Sequence, residues 1–357
     1  MPVRYGTACA GRPGLPRPRV NGRWAVARRA PTLKEIAHEA GVHVSTASRV
    51  LRQPEPVDGW SESALKIREV AAKLGYQRNL WAASLRTRRT TTIGAVMPRL
   101  TDGVVATVYE GVEEVATARG YSVLLCSPPD SIDAQRHAVD SLVARQVDGL
   151  LLSSIHLSGG DFIDELGAGT VPVLLLNRHA GTSLPYVSGD DHRGGYLVGR
   201  HLLDRGHTKV AIVAGPDHAS TAQDRLAGFV YAMRESGIEL TPRQIRRSGF
   251  DVSSGRQAGT ELLCRPDRPE AIFAVSDVIA IGVLGAARDL GLRIPEDLRL
   301  IGYNDIPIAK ELPVPLTTVH SPARQIGATG VGCLIDLIDG QPVESVKLAV
   351  ELIVRGT

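Results

Sequence analysis

Residues 32 to 51 hold the run whose residue types and spacing point most directly to a chemistry. They read Thr-Leu-Lys-Glu-Ile-Ala-His-Glu-Ala-Gly-Val-His-Val-Ser-Thr-Ala-Ser-Arg-Val-Leu. Thr32 followed by Glu35 has the form of a capping box. Ile36, Ala37 and Ala40 then fall on one helical stripe. Gly41 stops that helix where a left-handed residue is wanted, and Val42 packs into the turn. A second helix is predicted from about Val44 to Leu51, with Ala47, Val50 and Leu51 facing inward. That leaves Val44, Ser45, Ser48, Arg49 and Arg52 outward. A short helix whose outer face is small, polar and Arg-bearing suits the major groove of DNA. A helical hairpin on the surface of some other domain has the same local pattern, so the rest of the chain must decide.

Other chemistries find little support. Cys9, Cys126, Cys264 and Cys333 are far apart and form no CxxC or zinc spacing. The ten histidines show no metal spacing either. Gly282-Val283-Leu284-Gly285 falls inside a predicted helix, which rules it out as a dinucleotide fingerprint. Ser153, Ser154 and His156 sit in no nucleophile elbow. No catalytic residue, cofactor or metal is therefore expected.

The net charge is only +3, yet it is uneven. Arg4, Arg12, Arg17, Arg19, Arg23, Arg28 and Arg29 crowd the first thirty residues without an acid, and Arg78, Arg86, Arg88 and Arg89 form a second cluster. Such patches favour polyanions. Residues 1–30 lack periodicity and are predicted to be a disordered basic extension. They read equally as a DNA-affine arm or as an upstream extension from a wrongly chosen start. No apolar run reaches membrane-spanning length and no hydrophobic leader is visible, so a reducing cytoplasm is the expected setting.

Residues 32–51, together with Leu74-Gly75-Tyr76, Asn79 and Ala82-Ala83-Ser84-Leu85-Arg86, resemble the head of the LacI/GalR family of bacterial transcription regulators. The resemblance covers about residues 31 to 357. It implies base reading by Val44, Ser45 and Arg49, and phosphate contacts from Thr32, Thr46, Ser48 and Asn79. His43 stands where the family favours a small hydroxyl residue; it either caps the second helix less well or meets phosphate. The resemblance also implies a hinge helix from Asn79 to Leu85, with Leu85 and its small neighbour Ala82 wedged into the minor groove. Arg78 replaces the usual proline, which leaves the start of that helix less fixed. A plain linker whose Leu85 packs on the protein is the alternative.

The elements that would carry these residues follow from the periodicity. Residues 53–60 form a loop by composition. Ser61 can cap a third helix, whose Ile67, Val70, Ala71 and Leu74 share a face and which Gly75 ends. From residue 91, apolar runs alternate with amphipathic stretches. The runs are Thr92–Met97, Tyr121–Cys126, Gly149–Ser153, Val171–Leu176, Val210–Ala214, Ala271–Val275 and Leu298–Gly302. The helical stretches include Val104–Ala118, Ala134–Arg145, Gly194–Asp204, Arg225–Glu235, Ser254–Leu263 and Val278–Leu290. This alternation predicts an α/β fold of parallel sheets covered on both faces.

The expected divisions are 1–30, a helix-turn-helix head over 31–77, a hinge helix and linker over 78–90, and a bilobal domain over 91–357. The resemblance makes that domain periplasmic-binding-protein-like, with two doubly wound parallel sheets. It places crossings near Ser188 and Thr317, and a return to the C-terminal lobe near Val343 to Val354.

Ligands of such sheets sit beyond the carboxyl ends of strands. Asn177, Arg225, Phe250 and Asp277 lie there and match effector-contacting positions of the family, with Asp102 a weaker candidate on the opposite lobe. Arg and Asp can each bridge neighbouring hydroxyls, and an aromatic ring can cover the apolar face of a sugar. Each residue also has a plainer role: Arg225 as a salt-bridge partner, Asp277 as a helix N-cap, Phe250 as core. The resemblance implies a homodimeric repressor on a palindromic DNA operator, controlled by a small-molecule effector, by default a sugar. A co-repressed regulator answering to a purine-like ligand, a solute-binding protein and an enzyme are the rivals. The last two need features that the sequence does not display.

Overall fold

The computed structural model describes residues 31–51, 60–76, 89–157, 159 and 161–357. The extension over 1–30 and the hinge residues Asn79, Ala82 and Leu85 lie outside the described residues. The chain divides into two compact units, Met1–Leu80 and Trp81–Thr357.

In the first unit, α1 (Leu33–Ala40), α2 (Val44–Val50) and α3 (Glu62–Leu74) enclose a small core. Ile36, Ala37, Ala40, Ala47, Val50, Ala64, Ile67 and Ala71 form it. The capping box is present in full. Thr32 N–H donates to Glu35 Oε2 at 2.6 Å, and Glu35 N–H donates to Thr32 Oγ1 at 3.3 Å. Gly41 and Gly75 close α1 and α3 at φ 73° and 67°. His43 is the cap of α2, its Nδ1 accepting from Ser45 N–H at 3.3 Å.

The second unit has two sheets of six strands. The first runs β11-β5-β4-β3-β1-β2, the second β12-β10-β9-β8-β6-β7. The first holds β1 (Thr92–Val96), β2 (Ser122–Cys126), β3 (Gly149–Leu152), β4 (Val173–Leu176), β5 (Tyr186–Gly189) and β11 (Val346–Leu348). The second holds β6 (Val210–Ala214), β7 (Ile245–Arg247), β8 (Ala271–Ala274), β9 (Arg299–Asn304), β10 (Thr317–His320) and β12 (Glu351–Ile353). All pairings are parallel except β10 with β12.

Continuous apolar runs suit strands buried on both faces. Leu151, Leu174 and Leu176 enter one core of the first lobe, while Leu150, Leu152, Val173 and Leu175 enter the other. The helices α4 (Gly103–Ala118), α5 (Ile132–Ala144) and α6 (Asp161–Ala168) belong to that lobe, together with α11 (Ala323–Ile338). The second lobe carries α7 (Asp191–Asp204), α8 (Ser220–Glu235), α9 (Val252–Leu263) and α10 (Asp277–Asp289).

The lobes are joined between β5 and α7, between β10 and α11, and between β11 and β12. The second crossing therefore falls after His320. Thr317, expected at the crossing, lies inside β10, where its backbone and hydroxyl bond Thr357. Polar Thr317-Thr318 masked this strand in the sequence. So did short edge position for β7, β11 and β12.

Helix pairs in both lobes meet at reciprocal glycines. A methyl group on Gly195 of α7 would overlap the carbonyl of Arg225 on α8, and one on Gly228 of α8 would overlap the carbonyl of His192. Gly111 and Gly327 are placed in the same way between α4 and α11. Backbone lies on both sides of each contact, so neither helix can yield by turning a side chain. Gly195→Ala should destabilise the second unit by about 1–3 kcal/mol or more, as overpacking does. Denaturant unfolding monitored on that unit checks it; an unchanged midpoint would mean that the helix pair separates at no cost.

Candidate functional site

On the head, α2 turns about 100° per residue, which sets Ser45, Ser48 and Arg49 on one side and Ala47, Val50 and Leu51 on the other. Ser45 and Arg49 are exposed, and Ser48 and Thr46 are half-buried. Val44 is also half-buried and packs against the head core, so it flanks the outward face rather than lying at its centre. Ser45 Oγ lies 2.7 Å from His43 Nδ1, which couples the cap of α2 to the first outward hydroxyl. Thr32 sits at the start of α1, where N–H groups suit a phosphate. The geometry can present one Arg fork and small hydroxyls to base edges, with helix ends toward the backbone.

In the second unit, the carboxyl ends of both sheets face a cleft of ≈ 390 Å³ between the lobes. Strand order reverses beside β1 in one sheet and beside β6 in the other, so each lobe contributes a topological switch point. Of the effector candidates, Asp102, Asn177, Arg225 and Phe250 line this cleft. Asp102 caps α4, accepting from Val104 N–H at 3.0 Å. Asn177 follows β4 at φ 62°, a left-handed conformation that Asn tolerates better than most residues. Phe250 is half-buried, and its carbonyl accepts from Arg99 Nη2 across the cleft at 2.9 Å.

Arg225 is the most constrained of these. Its Nε donates to Asp191 Oδ1 at 2.7 Å and its Nη1 to Val275 O at 2.8 Å. Its guanidinium carbon stands 3.7 Å from the centre of the Tyr303 ring. Burial works against this charge, but the Asp191 carboxylate outweighs it and the pKa lies above the ordinary arginine value. Arg225 is thus a salt-bridge partner and a cleft residue at once.

Asp277 is placed differently. It is 0% exposed, and the cleft is lined by its neighbour Ser276 instead. Thr318 Oγ1 donates to one Asp277 oxygen at 2.6 Å and Ile306 N–H to the other at 2.8 Å. The N-cap of α10 is Ser276, whose side chain accepts from Val278 N–H. Asp277 therefore ties α10 to β10 and to the loop after β9. Burial pushes its pKa up to about 6 against the hydrogen bonds that favour the charged form.

The cleft also holds residues that sequence reasoning passed over: Arg99, Asp130, Ser154, Arg178, Thr221 and Asn304. Arg178 follows Asn177 directly, so its place beyond β4 was within reach of the strand assignment. It is 6% exposed, and its Nη1 has only 3.5 Å contacts to the carbonyls of Ser154 and Ile155. Burial lowers its pKa, offset by Asp130 and Asp102. Asn304 ends β9 at φ 105°, and its buried Oδ1 has no hydrogen-bond partner. A buried acceptor without a donor is costly and marks a place for a ligand hydroxyl or amine.

Because the raised pKa of Asp277 lies above its unfolded value, the folded state holds the proton more tightly. This group's contribution to stability is then largest in acid and falls as pH rises from about 4 to about 6, with no further change above. Asp277→Asn does not titrate. Urea unfolding should show wild-type stability falling relative to the variant by about 3 kcal/mol at most across that window. A flat difference would place the carboxylate in solvent.

Residues 32–79 match the model described as bacterial regulatory proteins, lacI family, and residues 200–357 match the periplasmic binding protein-like domain. The transcriptional repressor PurR of Vibrio vulnificus (strain CMCP6) is 31% identical over 342 residues, spanning 91% of this chain and 98% of the relative. The repressor CytR of Escherichia coli (strain K12) is 31% identical over 331 residues, 92% and 96% of the two chains. Among solved structures, the lac repressor dimer bound to operator and the anti-inducer ONPF superposes with a TM-score of 0.84 at 28% identity, covering 92% of this chain and 99% of that one. The regulator CelR in complex with cellobiose gives 0.68 at 30% identity, with 91% and 99% covered. No helix among the described residues is long and apolar enough to cross a membrane. A helix-turn-helix with its polar face outward, followed by two doubly wound lobes around a cleft, and these matches along nearly the whole chain, make the protein a member of the LacI family of bacterial regulatory proteins.

Proposed function

We propose that this regulator is a repressor that binds a near-palindromic DNA operator as a homodimer and is controlled by a small hydroxylated effector, a sugar, in the cleft between its lobes. The observation that carries the DNA part is the outward face of α2, where Ser45, Ser48 and Arg49 stand clear of the head core. A two-fold dimer would set two such faces on two half-sites. Thr32, Thr46, Ser48 and Asn79 hold the phosphate positions in this reading. Ala82 and Leu85 supply the minor-groove wedge. Repressors named PurR and CytR and the operator complex of the lac repressor support this assignment.

The effector part rests on the cleft chemistry. Arg178 brings donors that lack a close acceptor, Asn304 an acceptor that lacks a donor, and Phe250 a ring at the wall. Asp102, Asn177 and Arg225 complete a polar lining suited to vicinal hydroxyls. Asp277 then acts by holding the loop that follows Asn304, through its bonds to Ile306 and Thr318. The effector shifts regulation only as far as it binds the two states of the regulator differently.

Capture of genomic fragments at physiological salt should retain a recurrent palindrome, and Arg49→Ala should weaken that site by about 1–3 kcal/mol in an anisotropy titration. Retention of every fragment alike, vanishing with salt, would sink the operator reading. A thermal-shift panel of sugars and nucleosides should find a stabilising sugar whose effect Arg178→Ala abolishes while operator affinity persists. Stabilisation by a purine nucleoside alone would move the effector to the purine-like class.

A further inference from the structure

Three side chains of the second unit converge beside the cleft, whose lining includes Asp130. Asp130 follows β2, His156 follows β3, and His218 follows β6 on the other lobe. His156 Nε2 lies 2.7 Å from Asp130 Oδ1, and His218 Nε2 lies 3.0 Å from Asp130 Oδ2. One ligand atom from each residue falls within 4.8 Å of the others. The imidazole rings stack with centroids 4.0 Å apart. The backbone holds the group in place, since Leu157 N–H donates to His218 O at 2.9 Å across the lobes. His156 is 8% exposed, whereas Asp130 is exposed.

We propose that Asp130, His156 and His218 bind a divalent transition ion of the Zn²⁺ class, which ties the two lobes together. Two imidazoles and one carboxylate are the donor set that suits this class, and the exposed side of Asp130 leaves the fourth position to water. Tetrahedral bonds of about 2.0–2.1 Å place ligand atoms roughly 3.3 Å apart, so the imidazole nitrogens must draw back from Asp130 by a few tenths of an ångström and the two stacked rings must tilt to turn their lone pairs to one point. Each Nε2 then offers its lone pair to the ion, and its proton passes to Nδ1 or to water. The charge of Arg178 nearby also draws on the Asp130 carboxylate, which moderates the affinity. Because His218 belongs to one lobe and its partners to the other, the ion favours, by its binding free energy, the arrangement in which these residues meet. The three residues lie 26 and 62 positions apart along the chain, so no local spacing announces them.

The test uses the untagged full chain after treatment with a chelator, titrated with zinc chloride in a calorimeter. One ion per chain is expected, with a rise in the midpoint of thermal unfolding. His218→Gln keeps a polar side chain on a half-exposed loop and should lose more than about tenfold in Zn²⁺ affinity, as should Asp130→Asn. Both variants should keep the far-ultraviolet spectrum of the wild type; if one does not, the other decides. Absence of binding by the wild type, or wild-type affinity in the folded variants, overturns the site. Operator retention is read separately, so its loss would count against the repressor reading and not against the ion.

Discussion

The buried pair of Asp191 and Arg225 is the constraint on which the second lobe depends. Each side chain is 4% exposed, and taking two charges out of water is costly unless geometry and added hydrogen bonds compensate. Compensation comes from the Val275 carbonyl, which closes one more guanidinium bond, and from the face of Tyr303. The pair spans α7 and α8 where the two helices touch backbone to backbone at Gly195 and Gly228. In return it aligns α8 with the ends of β8 and β9, which both face the cleft. Packing in the helix layer and charge in the cleft are therefore one problem with one solution.

Asp277 has a related task nearby. Its two oxygens take a hydroxyl from β10 and an N–H from the loop after β9, the loop that follows Asn304. Removing either partner would leave a buried polar group unpaired, which costs more than an exposed bond contributes. Further bonds join the lobes: His179 N–H to Ser220 Oγ at 3.0 Å, and His179 Nε2 beside Asp224 Oδ2 at 2.9 Å. The cleft is thus held by contacts that water could replace if the lobes part. A ligand that bridges both walls would shift that balance.

Much of the head was legible because its signals are local. Thr32 with Glu35, the stripe of Ile36, Ala37 and Ala40, and Gly41 each act within a turn or two, and periodicity alone sorts Ser45 and Arg49 from Ala47 and Val50. Val44 was read as fully outward because its position lies near the edge of the stripe, where a small rotation of α2 decides burial. The long apolar strands were legible for a related reason: both of their faces are buried, so their whole run is Val, Ile and Leu. The strands β5, β7, β10, β11 and β12 escaped: β7, β11 and β12 are short edge strands, β5 has Val187 as its one aliphatic residue, and buried threonines dilute the signal of β10. Within the cleft, Arg178 went unnamed although it adjoins Asn177, and Asn304 gave no sign because an orphaned acceptor exists only once neighbours are placed.

The sequence by itself determined the head helices and the long apolar strands, because caps, periods and turn glycines are set by neighbours a few residues away, and the resemblance of its motifs pointed to the family. Tertiary structure alone decided which polar groups meet. Asp191 finds Arg225, Thr318 finds Asp277, and His218 reaches Asp130 and His156 from the other lobe. These partners are 34, 41 and 88 residues apart. Over such spans the pairing follows from where the sheets end and how closely the helices pack, and no local pattern records it.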